Sequence, residues 1–364
     1  MLPWVRRHAD TIALAAERQL AALVAVSSPS GDVGAAEECF SVIEALLPVD
    51  AEVARVPCSS PGHAPDLLAR VRGTGARRLL LLGHVDTVVA HADHRALHPL
   101  GDTLVGSGAV DMKGGDVLAI GVLQALAEDR RTEFAEVSLL LVCDEEWRTA
   151  PFAHGPRFAG YDACLCFEAG ELDGEGRDAV VVRRKAAGTL RVVATGRSAH
   201  SGARPGDGRN ALLALAEVAR IVAAHHDPDG PDHLTAVPTV LHSGDALNVV
   251  PASGELLCDV RADRLEAFDT VMTALPRDLD EVTLHVANLR EWPGMDARET
   301  AASTLDRAGA ALGRPVVPAS RGGASDASHI AAVVPLTIDG LGPLGGEAHA
   351  PGEYVLTASL RSRA

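Results

Sequence analysis

In the first half of the chain the hydrophobic positions fall in short unbroken runs rather than in alternation: LLLL (79–82), VSLLLV (137–142) and ACLCF (163–167). Continuous apolarity marks strands buried on both faces, as at the centre of a sheet covered by helices. Strands are therefore predicted over 78–82, 136–142 and 162–167. Between them apolar positions recur at helical spacing. In TIALAAERQLAALVAV (11–26), Glu17 and Arg18 interrupt what would otherwise pass for a signal core after Arg6 and Arg7, so an amphipathic first helix is predicted. DVLAIGVLQALA (116–127) predicts another helix, with Asp116 as its cap.

The rhythm changes over 186–296. TLRVVATG reads as a strand, 209–225 as a helix, LTAVPTVLHSG and GELLCDVRA as two strands, LEAFDTVMTAL as a helix and EVTLHVANL as a last strand. That β-α-β-β-α-β order is the split, ferredoxin-like arrangement. From 297 on, a helical pattern (AASTLDRAGAAL) and an apolar strand pattern (AAVVPLTIDG) resume. The fold class expected is α/β: a discontinuous domain of 1–185 and 297–364 with a central mixed sheet flanked by helices, and an inserted α+β domain, 186–296.

Composition narrows the setting. A chain of 364 residues, 47% hydrophobic, can fill two cores. A formal net charge of -16 argues against nucleic acid or an anionic membrane as partner, since both attract basic surfaces. No apolar run reaches membrane-spanning length. Six scattered cysteines suit buried thiols in a reducing cytoplasm better than a disulfide framework.

In open α/β sheets, functional groups gather beyond the carboxyl ends of the strands. LLLLG is followed by His84-Val85-Asp86, VSLLLVC by Asp144-Glu145-Glu146 and ACLCF by Glu168. Asp111 stands after the loop GSGAV, and His349 lies in the glycine-rich loop GPLGGEAHAPGE. Imidazoles and carboxylates converging without a phosphate-type glycine motif point to a metal site suited to zinc, with cobalt or manganese as alternatives. His84 and Asp86, two apart in extended chain, share a side, so Asp86 is placed to fix the imidazole. His91, His94 and His98 lack matching acids and read as a solvated loop, and Cys164 and Cys166 read as core packing.

GHVDTV (83–88), GSGAVDMKGG (106–115), CDEEW (143–147), CFEAG (166–170) and EAHAPGEYV (347–355) resemble, in order and spacing, the dinuclear zinc amidohydrolases that include glutamate carboxypeptidase, succinyl-diaminopimelate desuccinylase, acetylornithine deacetylase and the aminoacylases. The resemblance extends to SSPSGD (27–32), GRSAHSGARPGDGRNA (196–211), LNVVPASGELLCDVR (247–261) and GGASDASH (322–329), nearly the whole chain. It implies a zinc-exopeptidase-like catalytic domain with an inserted lid and dimerisation domain. It further implies two zinc ions bridged by Asp111, one held also by His84 and Glu168, the other by Glu146 and His349. Glu145 would be the general base acting on a metal-bridging hydroxide, with Asp86 beside it in the catalytic set. His200 would reach the partner's site in a homodimer, and Asn248, Arg261 and Gly323 would contact substrate. The peptide after Asp111 would be cis. Where relatives continue from CDEE with small residues, this chain has Trp147-Arg148, bulk expected to reshape the substrate pocket.

The function implied is a metal-dependent hydrolase cutting an amide next to a free carboxylate, a glutamate-type carboxypeptidase or small-dipeptide peptidase. An N-acyl-amino-acid deacylase uses the same chemistry on the other flank of the amide. A binding or assembly subunit that has lost catalysis is the reading from another class, and the intact ligand set argues against it. The partner expected is a small peptide or N-acyl amino acid.

Overall fold

The computed structural model describes residues 1–364, which divide into two compact units. The first comprises 1–183, 296–321 and 325–364; the second, 184–295 and 322–324.

The first unit is built on a six-stranded mixed sheet in the order Glu52–Val56, Asp66–Arg72, Phe134–Val142, Arg77–His84, Ala163–Cys166, Thr337–Ile338. Arg77–His84 runs parallel to both of its neighbours, and the first two strands are antiparallel. The apolar runs occupy the centre: Leu80, Leu81, Leu82, Leu139, Leu140 and Leu141 are fully buried. The long helix Pro3–Val24 lays Ile12, Ala16, Leu20 and Leu23 into the same core as Val117, Ile120 and Leu123 of the helix Gly114–Asp129. These are the i, i+3 and i, i+4 positions that helical spacing marks as one face.

Two expectations need correction. Asp116 is not a cap: a turn over Ala109–Lys113 runs straight into the helix, which therefore begins at Gly114 and encloses Asp116 in its first turn, fully buried. The strand read across AAVVPLTIDG shrinks to Thr337–Ile338, because Ile330 closes the helix Asp326–Ala331 by accepting from Val334 N, and Pro335 cannot join a ladder. The strands Glu52–Val56, Asp66–Arg72 and Asp178–Arg184 are not among the predicted elements; the first two carry only short apolar pieces broken by charge, whereas Asp178–Arg184 holds the run AVVV.

The second unit is an antiparallel sheet whose four long strands follow the order Thr235–Ser243, Ser253–Ala262, Ala186–Thr195, Val282–Trp292. With the helices Ala211–Ala224 and Phe268–Ala274 this is the ferredoxin-like topology. Alternate residues Leu190, Val192 and Ala194 meet Leu256, Cys258 and Val260 in a core closed by Leu215, Val218, Val222, Phe268 and Val271 of the helices. Val237, Val240 and Leu241 on the outermost strand are exposed, as are Leu212 and Leu213 on the helix that packs against it.

Candidate metal centre

Three parallel neighbours of the first unit end on one edge of its sheet, and each delivers an acid or imidazole there: His84 closes its strand, Glu145 and Glu146 follow Phe134–Val142, and Glu168 follows Ala163–Cys166. The helix Gly114–Asp129 approaches this edge closely because Gly115 has no side chain; a Cβ there would lie 1.8 Å from the Phe167 carbonyl oxygen. That approach brings Asp111, whose peptide bond to Met112 is cis as expected, to the strand ends. His349 arrives on the loop between the short strands Gly345–Gly346 and Tyr354–Leu356, with φ +67°, a left-handed conformation uncommon outside glycine.

Asp111 lies between two imidazoles. Its Oδ1 is 3.2 Å from His84 Nε2, and its Oδ2 is 3.1 Å from His349 Nε2. Glu168 Oε1 is 3.8 Å from His84 Nε2, and Glu146 Oε1 is 3.2 Å from His349 Nε2. Two groups of donor atoms result, His84–Asp111–Glu168 and Asp111–Glu146–His349, each within 4.8 Å, with Asp111 common to both. Despite its proximity to His349, the buried Glu146 Oε1 makes no well-aligned hydrogen bond. A buried carboxylate oxygen in that position is costly unless a cation completes it.

Asp86 ties these elements together. Its backbone oxygen is 3.0 Å from His84 Nδ1, which turns Nε2 toward Asp111, and its carboxylate oxygens accept from Glu145 N at 3.2 Å and Glu146 N at 3.0 Å. One buried aspartate thus orients the imidazole and fixes the backbone of both glutamates.

The titration behaviour is that of a site short of positive charge. Burial opposes protonation of His84, but hydrogen bonds to Asp111 and Asp86 and the charge of Glu168 outweigh it and hold the ring well above the ordinary histidine value. Hydrogen bonds to Asp111 and Glu146 raise His349 to about 10. Burial pushes Glu145 well above the usual carboxylate range, with Glu168, Asp326 and Glu146 adding to it. Burial likewise raises Asp116 to about 8. Neither oxygen of Asp116 has a hydrogen-bond partner.

Some supporting residues carry no local sequence signal. Glu353, 2% exposed, accepts from Gly108 N at 2.8 Å, Val110 N at 2.9 Å and Asp111 N at 3.0 Å. In the sequence it is one of two acids, with Glu347, in the loop that carries His349, and nothing local distinguishes them. Arg148 was expected to add bulk to the substrate pocket; instead its guanidinium is buried between Asp144 and Asp326, and it is Trp147, 59% exposed, that turns outward.

The other expected contacts belong to the second unit. His200 and Asn248 are exposed. His200 Nδ1 accepts from Gly202 N and Ala203 N, each at 3.1 Å, so a neutral ring carries its hydrogen on Nε2. The Arg261 fork is engaged by Asp259 at 2.9 and 3.3 Å and by the Gly322 oxygen at 2.8 Å, and the Gly323 oxygen accepts from Arg184 at 2.8 Å. Away from the centre, His91 bridges Ser27 and Asp32, and His94 reaches the Val24 carbonyl. Cys58, Asp66 and Cys143 form a third close group. There Asp66 is occupied in joining strand ends, accepting from Cys143 N at 3.0 Å and pairing with His154 at 2.8 Å. All six cysteines are free.

Comparison with known proteins bears on this arrangement. Residues 80–364 match the sequence profile described as peptidase family M20/M25/M40. The chain is 27% identical to carboxypeptidase G2 of Pseudomonas sp. strain RS-16 over 95% of this chain and 86% of that one. It is 29% identical to the succinyl-diaminopimelate desuccinylase of Rhodospirillum centenum over 90% of this chain and 89% of that one. Among solved structures, the aminopeptidase PepT of Bacillus cereus superposes with a TM-score of 0.76 at 18% identity, covering 96% and 95% of the two chains, a likeness of fold.

Proposed function

The chain belongs to peptidase family M20/M25/M40, metal-dependent hydrolases, and on that premise we propose that it cleaves an amide bond next to a free carboxylate, as a glutamate-type carboxypeptidase or small-dipeptide peptidase. The observation that carries the reading is Asp111 in contact with both imidazoles, the shared member of two donor groups. His84, Asp111 and Glu168 would hold one divalent ion, and Asp111, Glu146 and His349 a second. Two imidazoles and three carboxylates suit zinc, with cobalt or manganese as substitutes. The fit is supported by the raised affinity of His84 and His349 for protons and by the incomplete hydrogen bonding of Glu146 Oε1. Such a pair of ions, when bound, lowers the pKa of a shared water and polarises the amide carbonyl.

The remaining work falls to the chain. Glu145, its backbone fixed by Asp86, takes the proton from the attacking water and passes it to the leaving amine. Asp86 keeps Nε2 of His84 directed inward. In a homodimer, His200 donates from Nε2 to the oxyanion developing in the other protomer's site. Asn248 and Gly323 contact the substrate, and Arg261 exchanges Asp259 for the substrate carboxylate, to which its planar fork is matched. The exposed Val237, Val240 and Leu241 on the outermost strand support dimerisation of the second unit by strand or face pairing. Six free thiols support a cytoplasmic setting, and no helix is long and apolar enough to cross a membrane.

The experiment is a hydrolysis screen of the metal-loaded protein on dipeptides ending in glutamate, other dipeptides, and N-acetyl and N-succinyl amino acids. Faster turnover of the carboxyl-terminal glutamates supports the carboxypeptidase reading. Because the desuccinylase relative is as similar as carboxypeptidase G2, faster turnover of N-acyl amino acids would instead establish the deacylase.

A further inference from the structure

Asp144, Glu145 and Glu146 follow one another, yet the first of them points away from the metal centre into a second, fully buried charge cluster. Asp144 Oδ1 accepts from Arg148 at 3.2 Å (Nε) and 2.7 Å (Nη2), and its Oδ2 accepts from Ser60 N at 2.9 Å. The other edge of the guanidinium forms a two-point pair with Asp326, 2.7 Å from Nη2 to Oδ2 and with Nη1 on Oδ1. Arg148 is 4% exposed, Asp144 fully buried and Asp326 3% exposed, and the Arg148 Cζ stands 4.9 Å from the Phe152 ring centre. No edge of Arg148 is left to meet a substrate.

The two carboxylates come from different parts of the first unit. Asp144 begins the turn that carries Glu145 and Glu146; Asp326 opens the helix Asp326–Ala331, which packs on the strand Ala163–Cys166 leading to Glu168. The same turn is held again by Ser60 Oγ on Thr149 N at 2.9 Å and Ser59 Oγ on Ala153 N at 3.0 Å. Asp86 in addition accepts from the amides of Glu145 and Glu146. We infer that Arg148 is a positioning residue for the hydrolytic reaction: by clamping Asp144 to Asp326 it sets the distance of Glu145 and Glu146 from Glu168, and so the register of the base against the metal ligands. This rests on the reading of Glu145 as general base.

Replacing Arg148 alone strands two buried acids, so the test removes the charges together. Arg148→Gln with Asp144→Asn and Asp326→Asn leaves a polar, uncharged cluster with no stranded acid while abolishing the rigid ionic fork. The folded, metal-loaded triple variant is expected to lose about 10- to 100-fold in kcat with KM changed less than about two-fold, since misplacing a reacting group by a fraction of an ångström acts on the transition state. Arg148→Lys, which keeps the charge balance but not the planar fork, is expected to show a smaller kcat loss, also without a KM change. A kcat within about two-fold of wild type in either folded variant overturns the inference, as does a loss confined to KM, which would make Arg148 a substrate contact. Glu145→Gln separates the two claims. If it retains turnover, the reading of the base fails; if it is inactive while the Arg148 variants match wild type, only the positioning role fails.

Discussion

Glu353→Gln tests whether the loop that carries Asp111 is held by a charge. Three backbone amides point at the Glu353 carboxylate, two at Oε1 and one at Oε2, at 2.8 to 3.0 Å, and the side chain is 2% exposed. Burial raises the pKa of this group and the three amides oppose that rise. With donors on every side, a protonated carboxyl would set its own O–H against an N–H, so the pocket fits the ionised form. Glutamine can keep its oxygen toward Val110 and Asp111, but its NH2 then faces the Gly108 N–H. One hydrogen bond to a charged acceptor is lost, worth about 1.5–3 kcal/mol, and the remaining two weaken to neutral ones, for a total cost of roughly 2–4 kcal/mol. Glu353→Ala orphans all three amides and is expected to cost roughly 4–6 kcal/mol. Denaturant unfolding of the metal-free protein isolates this structural cost. Because Asp111 is the shared donor, metal affinity read by competition with a chromophoric chelator is expected to fall about 10- to 100-fold in Glu353→Gln. Stability within about 0.5 kcal/mol of wild type, together with unchanged metal affinity, would refute the argument, since a lost charged hydrogen bond cannot be that small.

Other outcomes follow from the same geometry. Glu145→Gln is expected to lower kcat by at least about 100-fold while metal content, measured by atomic emission, stays at the wild-type value; loss of metal instead would make Glu145 a ligand. In the metal-free protein His349 stays protonated up to about 10, so at pH 8 metal binding must displace at least one proton. Calorimetric titrations in buffers of different ionisation enthalpy will count it, with apparent affinity rising with pH and levelling above about 10; a count of zero at pH 8 would contradict the contact. Asp116 has its folded pKa raised from 3.8 to about 8, so the folded state binds the extra proton between those values and the group makes stability fall as pH rises through that window. Asp116→Asn should reduce the fall measured for the metal-free protein by up to about 1.4 kcal/mol per pH unit there, and an unchanged slope would count against it. Under the proposed homodimer, Leu241→Lys on the exposed edge strand is expected to shift the sedimentation equilibrium toward monomer; a wild-type monomer would refute the dimer, and a dimer unaffected by the substitution would place its interface elsewhere.

By itself the sequence determined the elements whose physics is local. Unbroken runs such as LLLL and VSLLLV can be stable only with both faces covered, so they became the parallel centre of the sheet, and the residues that end them, His84, Glu145, Glu146 and Glu168, had to stand together on its edge. The alternation over 186–296 was enough for the ferredoxin-like topology. Part of what escaped is local backbone geometry. Asp116 has the composition of a cap but is enclosed because the preceding turn runs into the helix, and Pro335 stops a strand that its apolar neighbours would have continued. For the acids of CDEEW the motifs implied the pairing of Glu146 with His349, and tertiary structure decided the rest. Asp144 meets an arginine four residues on and, through it, Asp326, 182 positions away, while Glu146 meets His349 and Glu145 receives its backbone anchor from Asp86. Glu353 reaches the amides around Asp111 from 242 residues downstream. A carboxylate's chemistry is set by the donors and charges around it, and those are supplied by segments that only folding brings within hydrogen-bonding distance.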